Sequence, residues 1–138
     1  MVFKNLRYRT KAILIIQAIG MFMGTSTHLV WILKNGFLAD NYNAPLFSRI
    51  FWDSLTFLDP FAAVLLIVKP KSGVYLTATI ILLDIIHNNI FYMDELYLNA
   101  PEFNEWIVKY WMIIGQVLFG LFVIFTLKSN LKEIKRCL

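Results

Sequence analysis

The chain has 138 residues, of which 59% are hydrophobic and 16% are charged, and its mean hydropathy is +0.63. Soluble domains carry about 25% charged residues, so this composition excludes an ordinary soluble domain and indicates an integral membrane protein. Topology and anionic lipid headgroups explain the formal net charge of +4. We therefore expect membrane lipids as partners and no nucleic acid.

Four apolar segments follow one another, each close to the length of about 20 residues that a membrane-spanning helix needs. Asn, Gly and Pro clusters, which are typical of turns, separate them. Because hydrocarbon offers the backbone no water, the segments should be helical. The sequence predicts an all-α, polytopic four-transmembrane-helix bundle forming one domain over residues 1–138. The predicted spans are 12–33, 50–68, 74–93 and 106–127, with a tight turn over 69–73.

The basic residues predict the orientation of the bundle. The first apolar run is too long for a cleaved signal peptide and should remain in the mature protein. Both termini are predicted to be cytoplasmic, and the richness in Ile and Asn suggests an AT-rich bacterial genome and therefore an inner (plasma) membrane. Ten of the thirteen Lys and Arg fall on the predicted cytoplasmic side: Lys4, Arg7, Arg9, Lys11, Lys69, Lys71, Lys128, Lys132, Lys135 and Arg136.

The third span carries polar residues where hydrocarbon favours apolar ones, in the stretch IILLDIIHNNIFY over 80–92. Asp84 lies near the bilayer centre, where a carboxylate costs on the order of 2.5–3.5 kcal/mol on insertion scales, so a functional role is the leading hypothesis. Asp84, His87 and Asn88 have the i, i+3, i+4 spacing of one helical face. This face is predicted to turn toward a pocket.

The other spans add polar groups to the same outer half of the membrane, whereas the inner half stays mostly apolar. That asymmetry predicts a pocket open to the outer side. Asp53 and Asp59 point about 120° apart on a helix, so we expect only one to face the pocket squarely. The residues expected to line it are His28, Asp53, Asp59, Asp84, His87, Asn88, Gln116 and Trp111; the polar exceptions in the inner half are Gln17, Thr77, Thr79 and Thr126.

Simple structural roles compete with this hypothesis. Asp53 can be interfacial, and Asp59 can cap a helix broken at Pro60. Asp84 can form a structural pair with His28 or with an asparagine, and Asn88 and Asn89 can serve as interhelical hydrogen-bond partners. Gly20 and Gly24 match a small-xxx-small helix-packing motif. Four aromatic residues are predicted to anchor helix ends at the outer interface: Trp31, Trp52, Trp106 and Tyr110.

The constellation suits acid–base chemistry on a lipid-like molecule. Asp84, His87 and Asp59 are the catalytic candidates, because a desolvated carboxyl group and a nearby imidazole can exchange protons with a substrate. An acid can also pair with the amine of a cationic amphiphile. Asp84-x-x-His87 has a carboxylate–histidine spacing found in metal-binding bundles, but the chain has only two histidines, so no metal site and no cofactor are expected. The ligand-binding candidates are His28, Asp53, Asn88, Gln116 and Trp111.

The region around His28 and the stretches FWDSLTFLDPFAAVLLI (51–67) and LLDIIHNNIFY (82–92) resemble the EXPERA-type domain, the four-span domain of emopamil-binding protein and the sigma-2 receptor. The resemblance implies a pocket for sterols or cationic amphiphiles, with Asp59 or Asp53 and Asp84 as charged partners. The leading hypothesis is binding of a hydrophobic or cationic amphiphilic molecule, with acid–base isomerisation left open. The alternative is a non-enzymatic membrane subunit or homo-oligomer, whose polar layer mediates helix assembly or proton-coupled transport.

Overall fold

The structure, a computed structural model, describes residues 2–138. This part of the chain is helical and contains no β-strand. A 3₁₀ turn at Asp40–Tyr42 and a π-helical turn at Asp94–Leu98 lie in the connections. The helices are α1 (Val2–Asn5), α2 (Tyr8–Asn35), α3 (Leu46–Val68), α4 (Pro70–Phe91) and α5 (Phe103–Arg136).

The helices α2 to α5 are each long and apolar enough to cross a membrane, which confirms the all-α, four-helix prediction. The longest, α5, has 34 residues. At 1.5 Å per residue it measures about 50 Å, so its ends extend beyond a hydrocarbon layer of about 30 Å. Large apolar side chains cover the outside of the bundle; Phe125 is 80% exposed and Val108 is 76% exposed. In a bilayer this surface faces acyl chains.

The connection between α3 and α4 is shorter than predicted. Only Lys69 separates the two helices, and α4 begins at Pro70 instead of residue 74. Proline fits the first position of a helix, where its missing N–H has no intrahelical partner to lose. Gly73 then lies against α3, because a Cβ at Gly73 would be 2.3 Å from the backbone nitrogen of Leu66. The residues predicted to form a turn instead start a helix at a close crossing.

Each long helix packs against the next in the chain, and α2 also reaches α5. The side-chain amide of Gln17 donates to Oγ1 of Thr126 over 3.0 Å, and the backbone N–H of Arg7 donates to Glu133 over 3.3 Å. The Sγ of Cys137 lies 3.4 Å from the carbonyl oxygen of residue 5. Both termini therefore lie at the same end of the bundle, called here the inner end, as an even number of spans requires.

Of two positions where a long helix could be interrupted, only one shows an irregular backbone. Pro60 lies inside α3, yet the helix runs unbroken from Leu46 to Val68. In α5, Tyr110 has non-helical backbone angles (φ −112°, ψ 18°), which mark a kink near the outer end. Since α3 is continuous at Pro60, Asp59 does not cap a broken helix.

Candidate functional site

Four side chains from three helices form a hydrogen-bonded network in the outer half of the bundle. Asp84 and Asn88 lie one turn apart on α4, Trp52 comes from α3 and Gln116 from α5. Nδ2 of Asn88 donates to Asp84 Oδ1 and to Gln116 Oε1, each over 3.1 Å. The Gln116 amide donates to the other Asp84 oxygen, and Nε1 of Trp52 donates to Oδ1 of Asn88 over 2.8 Å. We call these four residues the amide–carboxylate network.

This network satisfies the carboxylate of Asp84 from within the chain. Both oxygens of Asp84 accept hydrogen bonds from side-chain amides. Hydrogen bonds to a carboxylate offset part of the cost of removing it from water. The i, i+4 spacing of Asp84 and Asn88 explains why one helix face supplies both groups. Three of the predicted site residues are therefore brought together: Asp84, Asn88 and Gln116.

His87 lies beside the network, in an aromatic environment. Its Nε2 is 3.1 Å from Oγ of Ser48 on α3. The ring lies 4.5 Å from that of Phe51 and 5.1 Å from that of Trp52, measured between centroids. Nε2 of His87 is thus directed to Ser48 on α3 and not to Asp84. In the described part of the chain, no group of three or more His, Cys, Asp or Glu is placed to share a metal ion.

Asp53 holds the connection between α2 and α3. Its side chain is completely buried, and Oδ2 accepts a 2.6 Å hydrogen bond from the backbone N–H of Leu38. Leu38 has a left-handed conformation (φ 54°), and its carbonyl oxygen accepts a hydrogen bond from Arg49 over 3.1 Å. Asp53 also interacts electrostatically with the half-buried His28. Of the two aspartates on α3, Asp53 is the one committed to the outer loop.

Asp59 points toward α2 at mid-helix. The residue is only 5% exposed, and a Cβ built on Gly24 would lie 2.7 Å from its Oδ2. Its carboxyl group interacts electrostatically with that of Asp84. Within the part of the chain that the structure describes, no hydrogen bond to the Asp59 carboxylate is present. Asp59 is therefore a buried acid that interacts with a second acid, Asp84.

Trp111 does not join the other predicted site residues. Its side chain is 64% exposed on α5. Trp52 shows the reverse: it was predicted to anchor the interface, yet it is 6% exposed and belongs to the network. Ser48 and Trp52 were missed by the prediction, although they share a face of α3 with Asp59 at the i, i+4, i+11 spacing. That spacing is the signal that would have identified them.

The two glycines of the small-xxx-small motif face different neighbours. A Cβ on Gly20 would lie 2.4 Å from the ring of Phe119 on α5, whereas Gly24 faces Asp59 on α3. Both small residues thus allow close packing within one chain. Asn89 lies off the face of α4 that Asp84, His87 and Asn88 share. Its side-chain amide donates to the carbonyl oxygen of Ile85, and its oxygen accepts from the Tyr97 hydroxyl.

Comparison of the chain with models of protein families, with curated proteins and with solved structures finds no match.

Proposed function

We propose that this membrane protein binds a cationic amphiphilic small molecule in its outer half, with the Asp59 carboxylate as the counter-ion. The observation that carries the proposal is the environment of Asp59. This residue is only 5% exposed, its carboxylate has no hydrogen bond within the described part of the chain, and it interacts with a second acid, Asp84. A buried carboxylate without a partner is costly in an apolar medium. A ligand ammonium group would supply the missing charge and would also offset the repulsion from Asp84.

The surroundings suit a ligand with an apolar body. Trp52 lies on the same face of α3 as Asp59, about 10 Å along the helix at 1.5 Å per residue. Its ring and those of Phe51 and His87 form an aromatic cluster between α3 and α4. Aromatic faces attract ammonium groups and pack against hydrocarbon. An elongated amine can therefore contact both the acid and the rings.

Acid–base isomerisation is an extension of the same proposal. Asp84 already accepts two hydrogen bonds, and Nε2 of His87 is engaged with Ser48. Asp59 is therefore the carboxyl group best placed to give a proton to an alkene, while a neighbouring base removes one from an adjacent carbon. The resemblance to the EXPERA-type domain is the reason for including isomerisation in the proposal. From the basic residues and the composition we place the protein in a bacterial inner membrane, with cytoplasmic termini.

The test uses N,N-dimethyldodecylamine as the cationic probe and 1-dodecanol as its neutral counterpart. Purified wild-type protein in a non-ionic detergent is incubated with each, and retained molecules are counted by native mass spectrometry. Wild type should retain the amine in preference to the alcohol, and Asp59→Asn should lose that preference. Glu105→Gln removes an exposed carboxylate near the outer end and should behave like wild type. Equal retention of the amine by wild type and Asp59→Asn would refute the proposal.

The alternative is a non-enzymatic membrane subunit or homo-oligomer. The amide–carboxylate network favours it, because interhelical amide and carboxylate hydrogen bonds also hold membrane helices together without any ligand. Size measurement in mild detergent separates the two functions. A monomer that retains the amine supports ligand binding, whereas an amine-free oligomer or a co-purifying protein supports assembly.

A further inference from the structure

The inner end of α5 carries a groove with a basic edge. Lys128, Lys132 and Lys135 have the i, i+4, i+7 spacing and share one helical face. Apolar side chains of the same helix, before and between these lysines, complete a groove of about 470 Å³. We call it the lysine groove. Its lining residues are Ile124, Leu127, Lys128, Leu131, Lys132 and Lys135.

The ammonium groups of the lysine groove are not neutralised by the described part of the chain, where none of the three lysines has an ion pair or a hydrogen bond. The arginines nearby differ, because Arg7 and Arg136 both contact Glu133, at 3.5 Å and 2.5 Å. At 100° per residue, Glu133 lies about a third of a turn around α5 from the centre of the lysine face. Glu133 therefore lies on another face of α5 and pairs with the two arginines instead of the lysines.

The position along α5 matches the lipid headgroup layer. From Trp106 to Lys128 the helix rises about 33 Å, close to the 30 Å of the hydrocarbon layer. From Lys128 to Lys135 it rises about 10 Å more, which covers the headgroup region of one leaflet. Ile124 and Leu127 then lie at the depth of acyl chains, whereas the three lysines and Leu131 lie at the depth of the headgroups.

We propose that the lysine groove binds one anionic phospholipid of the inner leaflet. Its phosphate group contacts the lysines, and one acyl chain packs along Leu127 and Ile124. Basic pockets on the cytoplasmic side of membrane helices recognise acidic headgroups through this charge complementarity. A zwitterionic lipid is a poorer match, because its own ammonium group repels the lysines. The site is separate from Asp59 and does not depend on the function proposed above.

The test compares dilauroylphosphatidylglycerol with dilauroylphosphatidylcholine, which share the same acyl chains. Each lipid is titrated into the purified full-length protein in non-ionic detergent, and bound lipid is quantified by native mass spectrometry. We expect a preference of roughly tenfold or more for phosphatidylglycerol, since each lysine near an anionic headgroup contributes about fivefold. Lys128→Gln, Lys132→Gln and Lys135→Gln combined should reduce the preference to about twofold or less.

The matched control removes three inner-end lysines outside the groove, by Lys4→Gln, Lys69→Gln and Lys71→Gln. It should keep the wild-type preference. Equal binding of the two lipids to wild type, or equal loss in both triple variants, overturns the proposal. Displacement of the lipid by millimolar inorganic phosphate would indicate a small-anion site and overturn it as well. If the groove variant does not fold, Lys132→Glu alone serves as the test, and an unchanged lipid preference in that variant contradicts the site.

Discussion

Oδ2 of Asp59 lies against the backbone of α2 at Gly24, where an added methyl group would be only 2.7 Å from it. The absence of a side chain at Gly24 thus provides the space that the buried carboxylate occupies. The atom that this methyl group would meet, Oδ2 of Asp59, is at the end of a side chain that can rotate away. A larger residue at position 24 should therefore move the acid more than it disturbs the helices.

Gly24→Ala should weaken binding of N,N-dimethyldodecylamine about tenfold or more while leaving the fold intact. The displaced carboxylate loses its position relative to the ligand, and one tenfold change corresponds to about 1.4 kcal/mol. Alanine also favours the helix by up to about 1 kcal/mol over glycine, which offsets the local crowding. Native mass spectrometry with the amine measures binding, and thermal melting in detergent measures stability. Unchanged amine retention in a folded variant contradicts the assigned role of Asp59.

Gly73→Ala should be strongly destabilising, in contrast to Gly115→Ala. A Cβ at Gly73 would meet backbone atoms of α3 at 2.3–2.6 Å, and a backbone cannot rotate away. A Cβ at Gly115 would have no atom within 4 Å. We expect a loss of about 2 kcal/mol or more for Gly73→Ala, on the scale of overpacked cores, and no loss for Gly115→Ala. Thermal melting of the two variants side by side checks this, and equal melting temperatures would show that α3 and α4 do not cross closely at Gly73.

The sequence predicted the helices better than the turns because apolar length alone decides which segments can cross a membrane. All four spans and the common location of the two termini follow from that rule. The prediction of a turn over 69–73 was wrong because Pro and Gly occur both in turns and in helices, where Pro begins a helix and Gly allows close packing. Pro70 starts α4 and Gly73 allows close helix packing, whereas both residue types are also common in loops. Only the position of α3 against Gly73 shows that these residues belong to a helix and not to a loop.

The depth of the site residues could be predicted, but their partners could not. Counting along each helix placed Asp84, Asn88 and Gln116 in the same outer half of the membrane, and the structure joins them by hydrogen bonds. The neighbour of each side chain depends on how the helix is rotated, which tertiary packing decides. For this reason Trp52 is buried in the network while Trp111 faces outward.

Asn88→Ala should destabilise the bundle by about 1–2 kcal/mol, because it leaves partly buried donors and acceptors of Trp52, Asp84 and Gln116 without their partner. Asn89→Ala is the matched control. The Asn89 amide donates to a carbonyl group of its own helix, and its oxygen accepts from an exposed tyrosine hydroxyl, so its loss should have a smaller effect. Thermal melting in detergent measures both. A network without structural importance would give the two variants the same melting temperature.

Asp53→Ala should loosen the outer loop without abolishing amine binding, because Asp53 is bonded to the loop at Leu38 and Asp59 is not. Removing the buried acceptor leaves the Leu38 N–H unpaired and releases a residue held in a left-handed conformation. Chymotrypsin should then cut at Phe37 or Leu38 several-fold faster than in wild type, as followed by mass spectrometry of the fragments. Asp59→Asn should show the opposite pattern, with normal cleavage and lost amine preference. If Asp53→Ala instead loses the amine preference while cleavage stays slow, the two aspartates have exchanged the roles assigned to them.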